Sequence, residues 1–236
     1  MKYLDQEQLE RVDSAAFRTR EPYPWVNPER LLTEAGHRRL RADLPTVDRM
    51  DSSFGRDRKH GQTSHDRYVL EWADELDVAQ SWKDFVAELR GDAYRAFLGR
   101  MIGSDAFELL FHWHYTPRGC SVSPHCDAHH KLGSHIFYFN SDDWKPAWGG
   151  ETLVLDDGGR LDRRSAPPFE EFDREIAAEA LGNQSFLFIR RKNSWHGVRP
   201  LQCPEDRMRR VFIVVIHRVS PVDRARRLVG LRPRRA

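Results

Sequence analysis

Phe107, Leu109, Phe111, Trp113 and Tyr115 occupy alternate positions, and only an extended strand puts residues two apart on a common side. Shorter β-rich runs follow at 136–140, 152–155, 185–189 and 211–216. Turn material separates them, including Gly149-Gly150 and Asp156-Asp157-Gly158-Gly159. Several short strands without long helices between them argue for a sandwich or barrel. The stretch 160–180 is polar, and a short helix is expected over 169–180.

The first 104 residues have a different texture, mixed and helix-rich. Asn27-Pro28-Glu29 offers an N-cap, a proline at the first helical position and an early acid, ahead of Leu31 and Leu32. Gly36 is expected to interrupt that helix. From Trp82 the apolar positions Phe85, Val86 and Leu89, then Tyr94, Phe97, Leu98 and Met101, give two helices joined near Gly91-Asp92, with Asp92 able to cap the second. The basic, glycine-containing stretch 54–65 reads as a surface loop or lid. As a lid its Arg, Lys and His side chains would meet an anionic substrate; as an ordinary loop they are simply solvated.

With 236 residues, one domain is expected: a helix-rich support region (1–104), a β core (105–219) and a basic, flexible tail (220–236). A hydrophobic content of 39% excludes bulk disorder. The net charge of +2 is unevenly placed, since seven arginines and one aspartate lie from Arg218 onward and leave the body mildly acidic. Such a tail can contact nucleic acid or acidic lipid, but a solvated terminus is the commoner case, and no nucleic-acid partner is expected. The longest apolar run, 211–216, is far short of the ~20 residues of a membrane helix. Acids stand at Asp5 and Glu7, where a secretory signal would be apolar, so a cytoplasmic location is expected. Cys120, Cys126 and Cys203 form no CxxC pair and indicate neither a disulfide framework nor a thiolate zinc site. Cys126 is expected to point away from its neighbours' face as inert core.

The chemistry-bearing feature is His125-Cys126-Asp127, followed 69 residues after Asp127 by His196. His125 and Asp127 are two apart and can share a face. A third ligand from a distant strand would complete two histidines and one carboxylate, which suits non-haem Fe(II) with open positions. Around these lie Tyr115-Thr116-Pro117, Tyr138-Phe139-Asn140, Trp144, Trp148-Gly149-Gly150-Glu151, Ser194-Trp195-His196-Gly197-Val198, Leu201-Gln202-Cys203-Pro204 and Arg209-Arg210-Val211. In this order and spacing, over residues 111–216, the chain resembles the Fe(II)/2-oxoglutarate-dependent oxygenases, especially the prolyl 4-hydroxylase-like branch.

The resemblance implies a mainly β fold, a double-stranded β-helix (jelly roll) with supporting α-helices from the N-terminal half. It implies iron binding by His125, Asp127 and His196, with 2-oxoglutarate and O2 as co-substrates and ascorbate as a supporting reductant. It further implies a basic residue holding the far carboxylate of 2-oxoglutarate. Arg209 is the choice, because a guanidinium grips a carboxylate with two prongs. Arg210 would serve if the register slips by one, and the long spacing from His196 keeps Arg207 open. Tyr138 and Tyr115 match family tyrosines lining the co-substrate pocket, and Ser134 is a weaker candidate. His112 and His114, opposite Tyr115, receive no role; His129 and His130 read as solvated, and Trp195 as a packing residue. The implied activity is hydroxylation of an unactivated C–H bond in a peptide, amino-acid or small-molecule substrate, with release of succinate and CO2. The carboxylate of Asp127 disfavours halogenation, which in relatives uses a small residue there. Two rivals remain: a cupin-type metal enzyme without 2-oxoglutarate, and a non-catalytic jelly-roll binding module. Structural zinc normally has four protein ligands, and only three can be named here.

Overall fold

The alternating run of residues 107–115 becomes a strand whose odd-numbered face is buried against the helices, while its other face, open at Leu110, turns toward the small sheet at its C-terminal end. In the computed structural model, which describes residues 1–219, the chain runs α1 (Gln6–Arg11), α2 (Ser14–Thr19), β1 (Trp25–Val26), α3 (Glu34–Ala42), β2 (Asp51–Ser53), β3 (Arg67–Glu71), α4 (Gln80–Arg90) and α5 (Asp92–Ile102). It continues through β4 (Phe107–Pro117), β5 (Val122–His125), β6 (Lys131–Tyr138), β7 (Leu153–Asp156), β8 (Arg174–Ala177), β9 (Ser185–Ile189), β10 (His196–Val198) and β11 (Met208–Arg218). The basic tail, 220–236, lies outside the described residues. No helix among those described is long and apolar enough to cross a membrane.

Two antiparallel sheets result, a large one ordered β1-β9-β6-β11-β4-β3-β2 and a small one ordered β5-β10-β7-β8. This is the mainly β, double-stranded β-helix architecture. At the centre of the large sheet β4 and β11 pair along their whole length, with Tyr115 opposite Arg210 and Thr116 opposite Arg209. Odd-numbered residues of β4 (Phe111, Trp113, Tyr115) join Phe212, Val214 and Ile216 in packing against the helices. Trp82 of α4 meets Trp113 at 5.0 Å and Phe212 at 4.9 Å between ring centroids. The opposite face turns toward the small sheet, where Ile136, Tyr138 and Val211 pack with Val154 and Phe188. Strand β11 is thus buried on both sides, which is why 211–216 is continuously apolar.

Several local expectations change. No helix forms over 169–180: a single 3-10 turn (Phe169–Glu171) gives way to β8, which pairs with β7 through Val154↔Ile176. The Glu- and Ala-rich composition favours a helix, but the open edge of β7 offers a hydrogen-bond ladder that outweighs this weak propensity. Asn27 starts no helix. Its side chain instead ties two strands' flanks together, donating to the Ser185 carbonyl at 2.6 Å and accepting from Glu179 N. The helix begins after Thr33, whose hydroxyl accepts from Gly36 N at 3.0 Å, so Gly36 lies inside α3. The break at Gly91 is as expected, but Asp92 is the first residue of α5 and makes no capping bond. The strands β1, β2 and β3 of the N-terminal half, read only as mixed from sequence, extend both edges of the large sheet.

Candidate active site

His125 ends β5 and His196 opens β10, and the two strands pair with these residues directly opposite each other. Their rings lie 4.3 Å apart between centroids. Gly197 makes this close approach possible: a Cβ there would fall 2.8 Å from the Val122 carbonyl oxygen and 2.9 Å from the Phe169 ring. Each imidazole is oriented from behind by main chain. His125 Nδ1 donates to the Ser123 carbonyl at 2.9 Å, and His196 Nδ1 donates to that of Ser194 at 3.0 Å. A carbonyl only accepts, so both Nδ1 atoms carry the proton and both Nε2 atoms present lone pairs.

Asp127 follows just beyond the end of β5. Its main-chain oxygen accepts from Arg190 Nε at 2.8 Å, and Oδ1 accepts from Lys131 Nζ at 2.9 Å. One potential ligand atom from each of His125, Asp127 and His196 lies within 4.8 Å of the others. All three are buried or at the edge of burial. Burial pushes both imidazoles below the usual histidine range. Burial pushes the Asp127 carboxyl upward, but Lys131, His196 and His125 outweigh it and hold the group well below the ordinary range. Two neutral imidazoles and an ionised carboxylate are the protonation states a divalent cation requires of its ligands, so this donor set fits Fe(II).

Between the sheets these residues line a cavity of about 180 Å³. Arg209 also lines it and is only 4% exposed. Its Nε donates to the Gly150 carbonyl and Nη2 to Thr152 Oγ1 at 3.3 Å. Tyr138 Oη donates to the same Thr152 oxygen at 2.8 Å. Gly150 has φ +101°, and its missing side chain leaves room for the Arg209 stem, which a Cβ would meet at 3.3 Å. Arg210 faces the other way, its guanidinium 5.5 Å from the Tyr115 ring centroid, and Arg207 pairs with Asp143 at the surface.

Tyr115 does not line the cavity. It lies on the helix-facing side of β4, where its hydroxyl donates to the Pro45 carbonyl at 2.9 Å. Strand alternation correctly separates Tyr115 from His114, but it is His114 and Thr116 that face the cavity. Tyr138 does not line it either; its hydroxyl meets Thr152 and its ring centroid lies 5.5 Å from the Arg209 guanidinium. Ser134 is on the wall. Cys126 is half-buried with its thiol toward the Lys192 carbonyl, and burial pushes it up to about 12. Trp195 is fully buried against Leu153 and Leu155, while His129 and His130 are exposed. Cavity residues not singled out from sequence are Arg67, His114, Thr116, Lys131 and Thr152, whereas Arg58 and His65 belong to the loop read as a surface loop or lid. The loop at 54–65 does lie over the site: His65 Nε2 is 2.9 Å from Ser123 Oγ, with its ring 4.8 Å from that of His125. The legible signals were the basic lid itself and a lysine four residues after Asp127.

A jelly roll enclosing two histidines and an aspartate defines a class, and comparison with known proteins supplies the family. The model of the 2OG-Fe(II) oxygenase superfamily matches residues 111–230, and the chain belongs to that superfamily. It is a 2-oxoglutarate-dependent dioxygenase, and membership implies Fe(II), 2-oxoglutarate and O2. A search of curated proteins returns no match. Among solved structures, a prolyl-4-hydroxylase from Pseudomonas putida is similar, with TM-score 0.62 and 16% identity over 88% of this chain and 97% of that one. A prolyl hydroxylase from Trichoplax adhaerens, in complex with a hypoxia inducible factor peptide fragment, matches with TM-score 0.60 and 12% identity over 94% and 93%. A non-heme alpha ketoglutarate dependent carbocyclase from nogalamycin biosynthesis matches with TM-score 0.60 and 14% identity over 96% and 93%.

Proposed function

We propose that this dioxygenase hydroxylates an unactivated C–H bond of a small molecule or a peptide or amino-acid side chain, releasing succinate and CO2. His125, Asp127 and His196 hold the iron, and Arg209 takes the far carboxylate of 2-oxoglutarate. Bound Fe(II) with its co-substrate and O2 supplies the oxidising power. The protein orients the three ligands through main-chain carbonyls and Lys131. The bond to the Gly150 carbonyl and the Tyr138–Thr152 pair hold Arg209 in the buried position where water competes least for a carboxylate. The single observation carrying this reading is the convergence of the three ligand atoms within 4.8 Å, both Nε2 atoms being left as acceptors.

The test is succinate formation from 2-oxoglutarate with Fe(II), alongside metal and co-substrate titrations. His125→Ala and His196→Ala are each expected to abolish turnover, and near-normal activity in either refutes the ligand set. Arg209→Ala is expected to weaken 2-oxoglutarate binding about a hundredfold, as loss of a buried charged partner does, while iron stays bound. Unchanged co-substrate affinity in Arg209→Ala would favour the cupin-type rival.

A further inference from the structure

The cavity holds more positive charge than the reaction proposed above consumes. Lys131 is matched by Asp127, and Arg209 by the co-substrate. Two further guanidinium groups, Arg58 from the lid and Arg67 from β3, also line the wall. Arg67 stands opposite Thr116, as follows from Tyr68↔Tyr115, and Thr116 is in turn opposite Arg209. The three residues form one row across adjacent strands on the cavity side. Arg67 Nη1 donates to the His65 carbonyl at 2.7 Å, but its Nε is buried without a hydrogen-bond partner among the described residues. Among the described residues Arg58 has a single long bond, from Nε to Gln62 Oε1 at 3.4 Å. Neither arginine forms an ion pair among the described residues, although both are only partly solvated. Burial, then the charge of Arg58, pulls Arg67 below the usual arginine range. Asp66 near Arg67 and Asp127 near Arg58 offset this only in part, through space and without an ion pair, and like charges held together out of water are unfavourable unless a ligand completes them.

The space outside the cavity carries the same sign. A basin of about 680 Å³ shares Arg58, His125, Asp127 and Lys131 with the inner cavity, so a molecule seated in it reaches the candidate iron site. Its remaining walls include Lys59, Arg163 and Arg164 against a single further acid, Asp57. None of these three cations forms a salt bridge among the described residues. The body of the protein is mildly acidic, so this concentration of cations is local and would raise the encounter rate of an anion at the mouth.

We propose that the primary substrate is an anion, bearing a phosphate or carboxylate that Arg58 and Arg67 grip between the iron ligands and the mouth. This rests on the oxygenase reading above, with Arg209 reserved for 2-oxoglutarate. The full chain loaded with Mn(II), which binds such sites without turning over, is first titrated with 2-oxoglutarate and then, at saturation, with inorganic phosphate and separately with acetate. Phosphate or acetate is expected to bind with 2-oxoglutarate still in place, and whichever binds identifies the anionic group. Arg58→Gln and Arg67→Gln are each expected to weaken that binding about tenfold, with 2-oxoglutarate affinity changed less than about threefold. Arg67→Lys should recover part of the loss by restoring the charge. Displacement of 2-oxoglutarate by the anion would overturn the proposal. So would affinities indifferent to both glutamine variants, or no binding of either anion below about 10 mM. Failure of the wild type to bind 2-oxoglutarate in the first titration would instead strike the oxygenase reading.

Discussion

Ser123 and Ser194 act through their carbonyls, orienting His125 and His196, so the identity of those serines is not what the imidazoles need. Thr152 is different, because its hydroxyl joins Arg209 to Tyr138. Thr152→Val keeps the shape and removes that acceptor from the buried Tyr138 phenol. We expect a loss of about 1–3 kcal/mol in stability and a several-fold weaker 2-oxoglutarate affinity, read by denaturant unfolding and calorimetric titration. Unchanged affinity would mean that Arg209 is positioned by the Gly150 carbonyl alone. At this scale the sequence was informative where residue chemistry is rare, as in a His-x-Asp triplet with a distant histidine. Thr152 was illegible, since an isolated threonine in a strand has no signature until another strand places an arginine against it.

Among the elements, the pairing of β5 with β10 is the hinge of the site, for it sets the separation of the two imidazoles. Gly197→Ala would push its new methyl group into the Val122 carbonyl and the Phe169 ring. The expected result is a loss of about 1–3 kcal/mol in folding stability with at least a tenfold fall in metal affinity, measured by unfolding and by metal titration. A stable variant with normal affinity would show that the strands can separate without moving the ligands. Strand β4 shows what periodicity can and cannot tell. Alternation divides Tyr115 from His114 and Thr116, but both faces of β4 are covered at this end, and nothing local says which faces the cavity. Assigning Tyr115 to the site was therefore an error of side, not of strand. β8 was missed for a related reason: its partner β7 is about twenty residues earlier, and its own composition favours helix.

For the whole molecule, acid stability follows from histidines buried on folding. His135 on β6 is fully buried behind the helices, its Nδ1 2.7 Å from the Tyr94 hydroxyl and its Nε2 unpaired, and burial pushes its pKa down to about 3. His65 in the lid is likewise pushed to about 3, first by burial and then by Arg58 and Arg67. The unfolded chain would take up these protons near pH 6.5, whereas the folded chain resists until about pH 3. Stability is thus expected to fall steadily as pH drops through that window. His135→Phe fits the surrounding Phe97, Phe137 and Tyr94 rings and should flatten the fall, at some cost from the unpaired Tyr94 hydroxyl. Denaturant midpoints at pH 7.5 and 5 check this, and an unaltered pH slope in the variant would contradict it.

By itself the sequence determined the β core and the two-helix support around Trp82 and Met101, and it singled out as candidates His125, Asp127, His196 and Arg209, which the fold gathers at one cavity. Each of these is written in a short-range period or in an uncommon combination of side chains. Tertiary structure alone decided that Thr116 rather than Tyr115 faces the cavity, that residues 174–177 are strand, and that Arg67 joins the lid's Arg58 and His65 at the site. Those features depend on which surfaces the sheets and lid bury against one another, and burial is a property of the assembled fold that no local window of residues encodes.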